Sequence, residues 1–152
     1  MFESGGTAYL YFTYGMHWCF NVASGRAGEA GAVLVRALEP VEGLEVMERR
    51  RGRPSPLTSG PARICQALGL DGSLDGHPLD RPPLWLEEDG PISDDRIAVS
   101  GRVGIREARR WPLRFFVRDH PDVSTASADP PDPGSVPEAL RWILEPPIPE
   151  SE

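Results

Sequence analysis

The chain has 152 residues, of which 16 are basic and 23 acidic, and its formal net charge is −7. This length predicts one domain with a modest core, and 39% hydrophobic with 26% charged residues excludes a wholly disordered chain. No apolar run reaches the roughly 18 to 20 residues that cross a bilayer, and no secretory signal is visible. The two cysteines are too few for a disulfide framework, so we expect a cytoplasmic protein, nucleoid-associated if bacterial.

All 16 basic residues are arginine, and the sequence contains no lysine. Mechanisms that need a lysine Schiff base or a lysine general base from this chain are therefore excluded. The three histidines lie far apart, without the spacing of a metal site, and a glycine-rich phosphate loop with its lysine cannot form. We therefore expect neither a metal nor another cofactor.

Charge is distributed in blocks. Residues 49–63 carry five arginines and no acid, and residues 96–118 carry seven arginines and one glutamate. Residues 71–95 and 119–152 each carry eight acids and one arginine, together with most of the prolines. The acidic blocks are typical of surface loops and a tail, whereas the basic blocks adjoin apolar periodic segments. The basic blocks could face nucleic-acid phosphates, or they could pair with the acidic loops.

Seven segments with aromatic or β-branched residues are expected to form strands: Thr7–Tyr14, Trp18–Val22, Ala32–Ala37, Leu84–Leu86, Ile97–Ser100, Arg102–Ile105 and Arg114–Val117. The first two predict a β-hairpin with Tyr14–His17 at its tip. The third is apolar enough to be central in a sheet.

Two helices are predicted between these strands. The first covers about 40–50, with Pro40 in its first turn. The second covers about 60–68, with Ser59 as its cap and Gly69 at its end. Each carries apolar residues at helical spacing, which predicts one buried stripe.

The order of these elements lacks the alternation of strands and helices that βαβ units require, so it predicts a mixed α+β fold. We expect a single domain over 1–124, with a largely antiparallel curved β-sheet, a protruding β-hairpin and flanking helices. Residues 125–152 form an acidic, proline-rich tail, in which Ser135 and Glu138 make a capping-box pattern that predicts a short helix near 136–144.

The hairpin tip is the most informative element for function. Tyr14, Met16 and His17 place large side chains where turns usually carry small polar ones. They could pack beneath another segment, or they could form a wedge that inserts between stacked bases. Asn21 could make a structural hydrogen bond or contact a ligand, and Arg36, on an apolar strand, needs a carboxylate or a phosphate as its partner.

Several segments resemble, in the same order, those of the 3-methyladenine (alkyladenine) DNA glycosylase family. They are the hairpin, the following strand and turn, a Ser-Gly-Pro helix and two later strands: Ala8–Asn21, Ala32–Pro40 with Gly43, Leu57–Gly69, Arg102–Ile105, and Leu113–Val117 with Val123 and Ser124. The resemblance covers residue 5 to about 124. It implies an enzyme that flips a damaged purine nucleotide out of the duplex before excision.

The resemblance also implies roles for individual residues. Tyr14 resembles the residue that fills the gap left by the flipped base, and Tyr11 resembles an aromatic wall that stacks on that base. Asn21 resembles the amide that disfavours bases with a 2-amino group, Leu34 lies in the strand that lines the pocket, and Arg36 resembles a phosphate contact. Together with the tip, the DNA- or base-binding candidates are Tyr11, Tyr14, Met16, His17, Asn21, Leu34 and Arg36.

The implied reaction is monofunctional hydrolysis of the N-glycosidic bond of alkylated or deaminated purines, such as 3-methyladenine and hypoxanthine, in base-excision repair. The absence of lysine agrees with a water nucleophile and no lyase step. The family's catalytic glutamate lies upstream of the hairpin, in a Glu-x-Glu-Ala-Tyr-like segment. Met1-Phe2 resembles the residues just before the hairpin, so we expect this chain to lack the general base, to contain no catalytic residue and to be inactive alone.

Two alternatives remain. The chain could be a non-catalytic remnant that binds damaged DNA, or an RNA-binding or formyltransferase-like β-domain, for which no specific motif speaks. In the preferred interpretation the partner is double-stranded DNA with damaged purines, no membrane is involved, and the protein is a monomer.

Overall fold

The computed structural model describes residues 1–124, 128–138 and 140–141. The chain divides into two compact units, one formed by Met1–Gly90 with Pro121–Ser124 and the other by Pro91–His120 with the described part of 125–152. Every strand pair among the described residues is antiparallel, and two α-helices accompany the strands. The predicted mixed α+β class is therefore confirmed, with the strands divided among three small sheets.

Within the described residues, no helix combines the length and the apolar character needed to cross a membrane.

The first unit contains a three-stranded sheet in the order β1-β2-β3, with ranges Ala8–Thr13, His17–Ala23 and Ala32–Leu34. β1 and β2 form the predicted hairpin, in a register that pairs Thr13 with His17. β3 pairs with β2 at only three positions and lies at the sheet edge, so its predicted central place is wrong. Val33, in the middle of β3, is 62% exposed, which an antiparallel edge strand tolerates.

One face of this sheet packs against helix α2, Pro61–Leu68, and the loop that follows it. The core combines residues from the hairpin, α2 and the loop: Ala8, Leu10, Phe20, Cys65, Leu70 and Leu79. Ile64 of α2 is completely buried, and burial of such a side chain stabilises the fold by about 1.5–3 kcal/mol. Trp18 packs so closely on Gly72 that a Cβ there would lie 2.5 Å from the indole ring.

The helices depart from prediction at their starts. Helix α1 covers Leu44–Arg51 and begins after Gly43, whose left-handed φ of 69° prevents an extension back to residue 40. No residue of α1 is buried, so the predicted buried stripe of this helix is wrong. Ser59 does not cap α2. Gly60 occupies the cap position, and the Ser59 hydroxyl accepts a hydrogen bond from Arg63 Nη1 at 2.7 Å. Gly69 ends α2 with a left-handed φ of 73°, as predicted.

Two further sheets are short hairpins: β4 with β5 in the first unit and β6 with β7 in the second, with ranges Asp80–Arg81, Leu84–Trp85, Ile97–Ser100 and Arg114–Val117. Three of these strands match predicted segments. The predicted strand Arg102–Ile105 is not formed, because Gly104 has a φ of 77° and bends the chain.

The described part of the tail contains a 3₁₀ turn over Pro133–Ser135. The Ser135 hydroxyl donates to the Asp132 carbonyl at 2.6 Å. The helix predicted near 136–144 falls partly on residues 139 and 142–144, which lie outside the described residues.

Candidate nucleic-acid interface

The hairpin tip is a tight turn with an aromatic residue in an uncommon backbone conformation. The Met16 N–H donates to the Thr13 carbonyl at 3.0 Å, and the two residues between them, Tyr14 and Gly15, have φ angles of 51° and 65°. Two positive φ angles at these positions are the pattern of a type I′ turn, which favours Asn-Gly. Glycine adopts this conformation freely, whereas it costs a tyrosine about 1–2 kcal/mol.

The side chains of the tip point outward. Tyr14 is 85% exposed, Met16 is 65% exposed, and His17 is also exposed. Among the described residues, therefore, no segment covers the tip, and of the two alternatives the wedge agrees with its exposure. An exposed tyrosine held in a strained turn is the kind of outlier that points to a partner.

The other face of the sheet, which includes the buried residues Cys19, Asn21 and Ala23, carries the second group of candidates. The rings of Tyr9 and Tyr11 lie side by side, with centroids 5.6 Å apart and planes inclined by 37°. The register places Asn21 opposite Tyr9, and Leu34 of β3 opposite Asn21. Side chains alternate along strands, so four of the predicted site residues share one face: Tyr11, His17, Asn21 and Leu34.

Arg36 lies close enough to this face to act on Tyr11. Burial raises the pKa of the Tyr11 hydroxyl, the neighbouring Cys19 raises it further, and the positive charge of Arg36 opposes the rise. The Tyr11 phenol therefore stays neutral at physiological pH.

The Asn21 amide is fixed by the hairpin itself. Asn21 is only 5% exposed, and its Nδ2 donates to the carbonyl oxygens of Tyr9 at 3.1 Å and Cys19 at 3.4 Å. The structural hydrogen bond considered from the sequence is therefore present. It also makes the amide a rigid part of the face rather than a group that adapts to a ligand.

A group of arginines that were not among the predicted site residues lies on α1, α2 and the segment between them. We call it the arginine cluster: Arg49, Arg50, Arg51, Arg53 and Arg63. None of them forms an ion pair with an acid of the described residues. Arg50 donates instead to the Ala67 carbonyl at 3.1 Å, and Arg51 donates to the Gln66 side chain. The cluster therefore keeps its positive charge free of carboxylates in this part of the chain.

Three members of the arginine cluster lie close enough for their charges to act on one another. The pKa of Arg51 is lowered, first by burial and then by the charges of Arg53 and Arg63. The Nε of Arg51 is shielded from solvent and has no hydrogen-bond partner among the described residues. Three guanidinium groups held together without acids make a surface that favours polyanions. The charge block was visible in the sequence, but its packing across two helices was not.

A cavity of about 340 Å³ connects the hairpin tip with α2. Its lining comes from the hairpin tip, the start of β2, α2 and the loop after α2: Met16, His17, Trp18, Ala62, Cys65, Gln66 and Leu70. Gln66 also accepts a hydrogen bond from Arg51, so the cavity adjoins the arginine cluster at this residue. His17, which lines the cavity, also lies by strand alternation on the sheet face that carries Tyr11, Asn21 and Leu34.

Comparison with known proteins identifies the family. A family model described as Methylpurine-DNA glycosylase (MPG) matches residues 1–121. A protein of Carboxydothermus hydrogenoformans named "Putative 3-methyladenine DNA glycosylase" is 44% identical over 127 residues, covering 82% of this chain and 66% of that protein. Proteins of the same name are 43% identical over 133 residues in Chlorobaculum parvum and 48% identical over 121 residues in Granulibacter bethesdensis.

The Chlorobaculum alignment covers 86% of this chain and 64% of the relative, and the Granulibacter alignment covers 76% and 56%. The matched part thus spans less than two thirds of these relatives' length. The family model covers well over half of the chain, including the hairpin, the sheet face and the arginine cluster. The chain therefore belongs to the methylpurine-DNA glycosylase family, as its motifs indicated.

Proposed function

We propose that the protein serves base-excision repair by hydrolysing the N-glycosidic bond of damaged purines in double-stranded DNA. The substrates would be alkylated or deaminated purines, such as 3-methyladenine and hypoxanthine, flipped out of the duplex. The observation that carries this proposal is Tyr14, an exposed aromatic side chain held in a strained turn at the end of a hairpin. Family membership supplies the reaction class.

In this proposal Tyr14 fills the gap that the flipped nucleotide leaves. Unstacking a base costs a few kcal/mol, and stacking of a base on an aromatic ring returns about 1–3 kcal/mol. A side chain that is already exposed loses little contact with its own protein when it enters the duplex. Met16 and His17 would flank the insertion and contact the groove beside it.

The sheet face would receive the flipped base. Tyr11 would stack on it, Leu34 would line the pocket, and the fixed amide of Asn21 would exclude purines with a 2-amino group by steric conflict. Arg36 would bind a backbone phosphate nearby. Rigidity supports this role for Asn21, because an amide held by two carbonyl oxygens cannot turn aside for an extra substituent.

The chemistry in this proposal is attack of water on C1′ of the flipped nucleotide. Alkylated purines carry positive charge and leave readily, so a general base and an electron-rich pocket are sufficient. The general base would be a glutamate in the segment that precedes the hairpin in the family. Residues 1–152 by themselves would then bind damaged DNA without releasing the base.

The arginine cluster would bind the phosphates that flank the lesion. Each phosphate neutralised by an arginine lowers the slope of log K against log salt by about 0.9. We therefore expect binding that weakens steeply as salt rises. The net charge of −7 does not oppose this, because the cluster has no acidic partner among the described residues.

The experiment that tests the proposal has two parts. Fluorescence anisotropy compares a duplex with an abasic site and an intact duplex, and we expect a preference for the abasic site that Tyr14→Ala abolishes and Tyr14→Phe retains. Chromatography of bases released from an alkylated duplex compares this chain with one extended upstream in frame. We expect release of 3-methyladenine by the extended chain only.

Each outcome bears on the proposal. Equal affinity for abasic and intact duplexes would contradict the role of Tyr14. An extended chain that prefers the abasic duplex but releases no base would favour the non-catalytic damaged-DNA binder over the enzyme.

A further inference from the structure

The second unit contains a contact that the proposed function does not use. Residues 128–136, which we call the acidic strap, lie against the basic segment 101–111. The Asp129 carboxylate forms an ion pair with the Arg109 guanidinium, and Asp132 Oδ2 lies 3.4 Å from Arg110 Nη2. The strap begins after residue 121, where the family match ends.

Neutral contacts hold the strap in place independently of these charges. The Asp132 N–H donates to the Arg110 carbonyl at 2.7 Å, and Trp111 Nε1 donates to the Ser135 carbonyl at 3.2 Å. Val136 is only 1% exposed and anchors the end of the strap. Gly101 allows the close approach, since a Cβ there would lie 2.6 Å from the carbonyl oxygen of Asp129.

The two ion pairs themselves are on the surface. The side chains of Arg109 and Arg110 are 60% and 54% exposed, and those of Asp129 and Asp132 are 33% and 36% exposed. Ion pairs with such access to solvent contribute little to stability, so an external anion can replace the carboxylates. The neutral contacts meanwhile keep the carboxylates close to the arginines at a high effective concentration.

We propose that Arg109 and Arg110 form a phosphate-binding surface for the backbone of double-stranded DNA, which Asp129 and Asp132 cover when DNA is absent. Guanidinium groups bind carboxylates and phosphates through the same fork of N–H donors, so two arginines that fit two carboxylates also fit phosphates. The surrounding block supports this partner, because residues 96–118 carry seven arginines and one acid. The choice of DNA rather than another polyanion rests on the proposed function.

The test is the affinity for an intact duplex of the chain with Asp129→Asn and Asp132→Asn. Asparagine keeps the shape of each side chain and removes its charge, and the whole strap remains because Val136 is part of the fold. The matched control is Glu88→Gln with Asp89→Asn, which removes the same charge from an exposed loop of the first unit. Circular dichroism and urea unfolding verify that each variant is folded.

We expect the strap variant to bind the duplex about three- to tenfold more tightly than the control at low salt, as loss of two weak competing ion pairs predicts. Its plot of log K against log salt should be steeper by up to about 1.8, the value for two further phosphates. Asp129→Asn alone should change the slope of log K against log salt by about half as much. Adding Arg109→Gln and Arg110→Gln to the strap variant should remove the gain.

Equal affinities and equal salt slopes for the strap variant and the control would overturn the proposal and leave the strap as a structural brace. This outcome is separable from failure of the proposed function. The strap is tested on intact duplex, whereas the role of Tyr14 is tested by the ratio of affinities for abasic and intact duplexes. A gain in the strap variant without any preference for the abasic site would refute the repair function and retain the phosphate surface.

Discussion

Replacement of Tyr14 by asparagine should stabilise the protein while it weakens DNA binding. Asparagine is favoured before glycine in a type I′ turn, so the substitution removes a left-handed penalty of about 1–2 kcal/mol. Tyr14 is 85% exposed and buries only roughly 30 Å² of its surface, worth about 0.7 kcal/mol. The free energy of unfolding should therefore rise by about 0.5–1 kcal/mol, and the Tm by about 1–4 °C.

The same substitution should reduce the affinity for a duplex with an abasic site about tenfold or more, since stacking on one aromatic ring supplies about 1–3 kcal/mol. Urea unfolding measures the first effect and fluorescence anisotropy the second, with Tyr14→Phe as a control that should change neither. Opposite signs cannot arise from misfolding. A destabilised Tyr14→Asn variant would refute the argument that the turn is strained.

Three further predictions concern the first unit. Ile64→Ala, at a completely buried site, should lower the free energy of unfolding by about 2–5 kcal/mol in urea. Gly72→Ala should lower it by about 1–3 kcal/mol, because the new Cβ would meet the Trp18 ring at 2.5 Å; unchanged stability would mean that the indole is free to move. Burial raises the pKa of the Cys65 thiol to about 11, and the folded chain then holds a proton that the unfolded chain releases above about pH 9. The free energy of unfolding should therefore keep its full value below pH 9 and fall by about 2–3 kcal/mol as the pH rises to about 11. Unfolding curves at pH 8 to 11 should show this fall. Cys65→Ala should remove this contribution to the dependence of the free energy of unfolding on pH.

The hairpin could be predicted from the sequence because its signals are local. Aromatic alternation on both sides of Gly15 indicates two strands and their connection, and the structure has them within one or two residues. The place of β3 could not be predicted in this way. The same apolar sequence pattern fits a strand at the centre and a strand at the edge of a sheet. The neighbours of the strand depend on distant parts of the chain.

The first residues of the two helices could not be predicted from local sequence patterns either. Gly43 occupies a left-handed conformation at the start of α1, and Ser59 binds Arg63 instead of capping α2. In both cases backbone geometry or a competing hydrogen bond decides, and neither is visible in residue spacing.

The candidate site also combines features that could be predicted from the sequence with features that could not. The exposure of Tyr14 was one of two possibilities that the sequence left open, and its positive φ could not be predicted. The charge blocks were plain in the sequence, yet their partners were not. In the described residues, block 96–118 pairs with Asp129 and Asp132, whereas block 49–63 pairs with no acid.

In the proposed function, Tyr14 enters the duplex and displaces the damaged nucleotide. Fluorescence of 2-aminopurine placed next to hypoxanthine in a duplex measures this directly, since the probe brightens when its neighbour leaves the stack. At saturating protein, we predict a strong rise with the native chain and Tyr14→Phe, and almost none with Tyr14→Asn. An equal rise with all three proteins would contradict the account.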